Sequence, residues 1–139
     1  MLPSPPKRNA MRAVDTNVVV RLIVADDKQQ TKRAQAVFTA GDVFIASTVV
    51  LETEWVLRSG YGFAPTRIVM ALKAVAGLPN VTVEEPALLA QALDWMDQGM
   101  DLADAMHLAR ANACTAFLSF DRKLAKLAAG RSLVAVERP

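Results

Sequence analysis

"RAVDTNVVVRLIV", residues 12–24, is the stretch whose reading decides the fold. "RAVD" has the length and composition of a short strand that ends on Asp15. "TNVVVRLIV" then takes up helical spacing, with Thr16 or Asn17 placed to cap it. The strand thus passes straight into a helix, and the same rhythm recurs along the chain. "DKQQTKRAQAVFTA" (27–40) predicts a helix capped by Asp27 and stopped by Gly41, and "VFIAS" (43–47) a buried strand. "TVVLETEWVLRS" (48–59) has helical spacing up to Gly60. A further helix spans 65–77, with Pro65 in its first turn and Gly77 at its end. The strand "VTV" (81–83) precedes a helix over 86–98, a break at Gly99 and a helix opening at Asp101. The strand "TAFLSF" (115–120), the helix "RKLAKLAA" (122–129) and the strand "LVAVE" (133–137) complete the pattern. Short, continuously apolar strands alternating with helices predict an α/β fold: a small parallel sheet flanked by helices on both faces. Folds of this kind build their sites at the C-terminal ends of the strands.

Composition narrows the classes. At 139 residues the chain fits one domain that buries roughly two-thirds of the surface its unfolded form exposes. Hydrophobic residues make up 53% and charged residues 22%, a balance that excludes a disordered chain. No apolar run approaches the ~20 residues of a membrane-spanning helix, so no membrane partner is expected. "MLPSPPKRNA" has no apolar centre and is not a signal peptide; its prolines predict a flexible tail over residues 1–10, with the domain at 11–139. The single cysteine, Cys114, has no partner for an internal disulfide and no adjacent cation, which predicts a buried structural thiol and a cytoplasmic protein. The net charge of +2 is too small to indicate a nucleic-acid partner by itself, although Arg122, Lys123, Lys126 and Arg131 gather within ten residues.

The acids carry the chemistry. Asp15 and Asp121 follow strands, where an aspartate commonly caps the next helix, and for either alone capping is the simpler reading. Asp101 and Asp104 of "DLADAMHLAR" fit the cap and first turn of a helix, positions that the helix dipole also favours. Glu54 has Arg58 four residues on and reads as an ordinary surface pair. Glu52 has Thr48, Val49, Trp55 and Val56 as its helical neighbours, a mostly apolar face without a cation, so it needs a partner from elsewhere: an arginine or a metal. Four distant segments that each bring an acid to one rim predict a site for a divalent cation, which relieves the repulsion among packed carboxylates. Mg²⁺ or Mn²⁺ suits such oxygen ligands, whereas one cysteine and one histidine, His107, fall short of a zinc set. A metal-activated water acting on a phosphodiester is the chemistry that such a site supports.

Taken together, "AVDTNVVVRLIV", "LETEWVLRSGYGF", "DLADAMHLA" and "FLSFDRKLAK" resemble PIN-domain ribonucleases, specifically the VapC-type toxins of prokaryotic toxin–antitoxin pairs, over about residues 12–137. The resemblance implies a Rossmann-like PIN fold, Mg²⁺- or Mn²⁺-dependent endoribonuclease activity, a homodimer, and inhibition by a cognate VapB-like antitoxin. It assigns Asp15, Glu52, Asp104 and Asp121 to catalysis and metal binding, with Asp101 as an extra acid beside them. Thr16, Asn17 and Ser119 fall at polar positions that line such sites, and Arg122 and Lys123 follow as substrate contacts. Other readings are a PIN-fold RNA-processing nuclease without an antitoxin, a phospho-acceptor receiver domain and a catalytically silent binding module. A receiver would want an adjacent acidic pair early in the chain, where only Asp15 stands, and the retained acids speak against a silent module.

Overall fold

Aspartates start four of the helices. Asp15 Oδ1 accepts the Thr16 N–H (2.8 Å), Asp27 Oδ1 that of Gln30 (2.9 Å), Asp101 Oδ1 that of Asp104 (3.1 Å), and Asp121 Oδ1 those of Lys123 and Leu124 (2.9 and 3.1 Å). Each satisfies donors that the first helical turn leaves without an internal partner. In the computed structural model, which describes residues 11–132 and 134–139, the helices that follow are α1 (Thr16–Val24), α2 (Lys28–Ala40), α6 (Leu102–Arg110) and α7 (Arg122–Ala128). The cap of α1 is therefore Asp15 and not Thr16 or Asn17, because the first strand, β1 (Met11–Ala13), stops early and leaves Asp15 extended ahead of the helix. The tail expected over residues 1–10 lies outside the described residues.

The remaining elements are β2 (Asp42–Ile45), α3 (Ser47–Trp55) running into a π turn (Val56–Gly60), α4 (Pro65–Ala76), β3 (Val81–Val83), α5 (Pro86–Asp97), β4 (Ala116–Leu118) and β5 (Ala135–Glu137). α4 shows how patterning becomes packing. Pro65 opens it, and Ile68, Val69, Leu72 and Val75, spaced along one stripe, are buried. α5 and α6 form the most extensive helix pair, joined by a tight turn in which Gly99 adopts φ 110°, a conformation that side chains disfavour. This turn fixes where Asp101 sits.

Every strand pairing is parallel, as expected of an α/β chain. The order is β1-β2-β3 in one sheet and β4-β5 in a second, so the single sheet predicted from the sequence is divided by its hydrogen bonding. β1 and β4 are three residues each, and all of Met11, Arg12 and Ala13 are exposed. One core nevertheless joins both sheets. Val43, Ile45 and Val83 from the first sheet share it with Leu57, Leu93, Leu102 and Leu124, and Phe117 and Val136 of the second sheet pack against it.

Candidate active site

Parallel strands deliver their C-terminal ends to one edge of each sheet. At those edges stand Asp15 after β1, Ser47 after β2, Glu84 after β3, and Ser119, Phe120 and Asp121 after β4. Asp104 reaches the acids from α6. It is half-buried, and its environment is legible in its proton affinity: partial burial first, then the charges of Asp101 and Asp121, push its carboxyl above the usual range, while His107 pulls the other way. Asp101, Asp104 and Asp121 are thus within electrostatic reach of one another. Asp15 and Glu52 are not among the groups that act on Asp104.

The two glutamates of α3 exchange the places that the sequence suggests. Glu54 is 5% exposed and holds Arg58 by Nε–Oε1 contact at 2.8 Å, whereas Glu52 is exposed to solvent. Trp55, whose side chain made the Glu52 face read as apolar, is itself 58% exposed, so that face is turned to water and Glu52 needs no partner there. The buried side of α3 runs instead through Ser47, Val50, Thr53 and Glu54. Arg58 also feels the charge of Asp101, which together with the Glu54 contact holds its guanidinium proton more firmly. A cation of the chain's own therefore borders the acids.

Asp121 is held on two sides. Its carboxylate caps α7, and its N–H donates to Ser119 Oγ at 3.0 Å, so Ser119 orients this acid. Thr16 is 4% exposed, and its N–H is given to Asp15, while Asn17 is exposed beside it. Arg122, Lys123, Lys126 and Arg131 are all exposed, and none forms an ion pair among the described residues. Cys114 is exposed, contrary to the buried thiol expected, because it lies in the turn after α6 and not in a packed element.

Residues 12–130 match the family described as PIN domain. The chain belongs to the PIN domain family. Neither a curated protein nor a solved structure matches it significantly. PIN domains form a superfamily of metal-dependent nucleases, and the parallel strands and seven helices described above are those of the Rossmann-like PIN fold. The acids of this PIN domain suit a hard divalent cation in kind: they offer oxygen only, each capping aspartate spends Oδ1 on its helix, and Asp104 carries like-charge pressure that a cation relieves. They are not a ready-made cage. Among the described residues no three Asp, Glu, His or Cys side chains are grouped closely enough to hold an ion. The physical reason is visible in the caps and the divided sheet: Asp15 and Asp121 follow strands of different sheets, and Glu52 is exposed to solvent. A cavity of about 600 Å³ lies at the other end of α6, against Trp95, Leu108 and the Arg110–Glu85 pair, away from Asp101 and Asp104. Phe120, which in the sequence reads as strand core at the end of an apolar run, stands exposed directly before Asp121.

Proposed function

We propose that this PIN domain is an endoribonuclease that depends on Mg²⁺ or Mn²⁺ and serves as the toxin of a toxin–antitoxin pair. The observation that carries the nuclease reading is Asp104, a carboxyl raised by partial burial and then by the charges of Asp101 and Asp121, in a chain of the PIN family. Asp15, Glu52, Asp104 and Asp121 would hold the ion, with Asp101 bordering them. When bound, the ion would supply Lewis acidity and an activated water for phosphodiester hydrolysis. Around it, Ser119 orients Asp121, Asp101 supports the turn from which Asp104 projects, and Arg122 and Lys123 offer charge to the RNA backbone. The toxin role, a VapB-like antitoxin partner, a homodimer and a cytoplasmic setting are supported by the four sequence motifs and belong to this proposal.

The purified chain, freed of any partner, is expected to cleave RNA with Mg²⁺ or Mn²⁺, to stop when EDTA is added, and to resume when the ion is restored. Undiminished cleavage in EDTA would overturn the metal dependence, and no cleavage under any condition would favour a silent binding module. Induced expression of the active chain alone is expected to arrest growth. Unaffected growth would leave a nuclease outside any toxin–antitoxin pair.

A further inference from the structure

β4 ends at Leu118, and the two residues that follow turn the chain into α7. Ser119 is half-buried and engaged with Asp121, but the ring between them, Phe120, is 70% exposed. A phenylalanine left in water forgoes the stabilisation that burial of its ring would bring, and it stands here directly before Asp121, whose charge reaches Asp104. One cation lies beside it in space and two follow it in sequence. The Arg138 guanidinium, at the end of β5, lies 5.9 Å from the ring centroid, and Arg122 and Lys123 follow Asp121 directly, exposed and without ion pairs among the described residues. Leu118, 62% exposed, extends the apolar surface along the strand.

A small exposed aromatic face with one arginine beside it and two further cations next to it in sequence suits a nucleobase with its phosphates: the base stacks on the ring and the cations take the backbone. A protein partner would instead favour a broader apolar centre with the charges at its rim. We propose that Phe120 is the stacking platform for one base of single-stranded RNA, with Arg138, Arg122 and Lys123 holding the flanking phosphates next to Asp121. The inference rests on the ribonuclease reading and adds the strand state of the substrate, because a base inside a duplex is stacked on its neighbours and cannot lie on the ring. Stacking is tolerant of base identity, so the platform positions the strand without selecting a sequence.

The test is binding of a fluorescein-labelled single-stranded RNA dodecamer to the full chain in EDTA, so that no cleavage intervenes. Phe120→Ala and Phe120→Leu are both expected to weaken binding about 5- to 150-fold, the loss of one stacked base, while Phe120→Trp retains affinity and its added indole emission is quenched by RNA. A base-paired form of the same RNA is expected to bind equally to all variants. Phe120 is exposed, so the variants should keep the wild-type Tm, and circular dichroism checks this. If Phe120→Leu binds like wild type while Phe120→Ala does not, the ring gives only apolar contact and the stacking role falls. If all variants bind RNA alike, or wild type binds none, the proposal is overturned and the ring is left to a protein partner. Cleavage by wild type in Mg²⁺, assayed separately, keeps the two readings apart: active enzyme with Phe120-independent binding removes the platform alone, and Phe120-dependent binding without cleavage removes the ribonuclease alone.

Discussion

Asp101 and Asp104 sit three residues apart on one helix and have different work. Asp101 gives Oδ1 to the Asp104 N–H, so its side chain is committed to starting α6, while Asp104 projects into the shared field of Asp101 and Asp121. A carboxyl raised in the folded state is favoured when protonated; once ionised, above its folded pKa, it costs stability. Asp104→Asn is therefore expected to leave the Tm of the metal-free protein unchanged or higher at neutral pH, while cleavage falls by orders of magnitude. Asp101→Asn keeps a capping side chain and should be mild on both counts, and Asp101→Ala should cost about 1 kcal/mol through loss of the cap. Melting temperature and RNA cleavage of the three variants check this; if Asp101→Asn is as inactive as Asp104→Asn while Asp101→Ala folds normally, Asp101 belongs with the ion. The cap at Asp101 was legible in the sequence because Gly99 marks the break and a cap is a local device. Glu52 and Glu54 were not, because their burial depends on which face of α3 meets the core. An apolar neighbour such as Trp55 looks the same in sequence whether it lies inside or, as here, in water.

α3 shows an element begun by a residue far from it. Ala46, at its cap position, has no side chain to offer, and the Ser47 N–H donates instead to Glu84 Oε1 at 2.9 Å, across from the end of β3. The helix that carries Glu52 and leads to Arg58 is in this way tied to the rim of the neighbouring strand. That N–H first, then the Ser47 hydroxyl and the charge of Arg110, hold the Glu84 carboxyl below its ordinary range. For a depressed carboxyl the stabilisation is complete above the unfolded pKa and is lost as pH falls through the folded one. Glu84→Gln is accordingly expected to lower Tm at about pH 7, with the gap to wild type closing as pH falls below the ordinary carboxylate range. A gap that stays constant across that range would mean that Glu84 contributes by packing and not by charge, and thermal melts across the pH range decide it. Most elements were legible before the fold was seen, because Asp27, Pro65, Gly77 and Gly99 punctuate the helices locally. Strand ends were less so. β4 stops at Leu118 and not at Phe120, since its pairing with β5 ends on Leu118 and Glu137, closed by the Ser119 N–H donating to the Glu137 carbonyl at 3.0 Å, and only that ladder defines where a strand ends. The same non-local pairing, invisible in composition, separates β4-β5 from β1-β2-β3.

At the scale of the whole molecule, charge is distributed and not abundant. Sixteen basic and fourteen acidic side chains leave a net +2, too little for a general field that attracts a polyanion. What the chain has is local: Arg122, Lys123, Lys126 and Arg131 stand exposed on α7 and the turn after it, directly beyond Asp121, while Lys73, Arg21, Arg58 and Arg110 are spent on carboxylates. A cation already paired releases no counterion when RNA arrives, so the unpaired run should account for most of the salt dependence of substrate binding. On single-stranded RNA each phosphate contact contributes about 0.7 to the slope of log K against log salt, so Lys123→Gln with Lys126→Gln should flatten that slope by about 1.4 and raise KM, with kcat little changed. Neutralising Lys73, at the far side of its pair with Asp94, is the control and should leave the slope as it is. The measurement is KM for one RNA oligonucleotide over a series of salt concentrations. An unaltered slope in the double variant would return the run to being the solvated face of a helix, and the weak overall charge would then leave recognition to contacts at the rim.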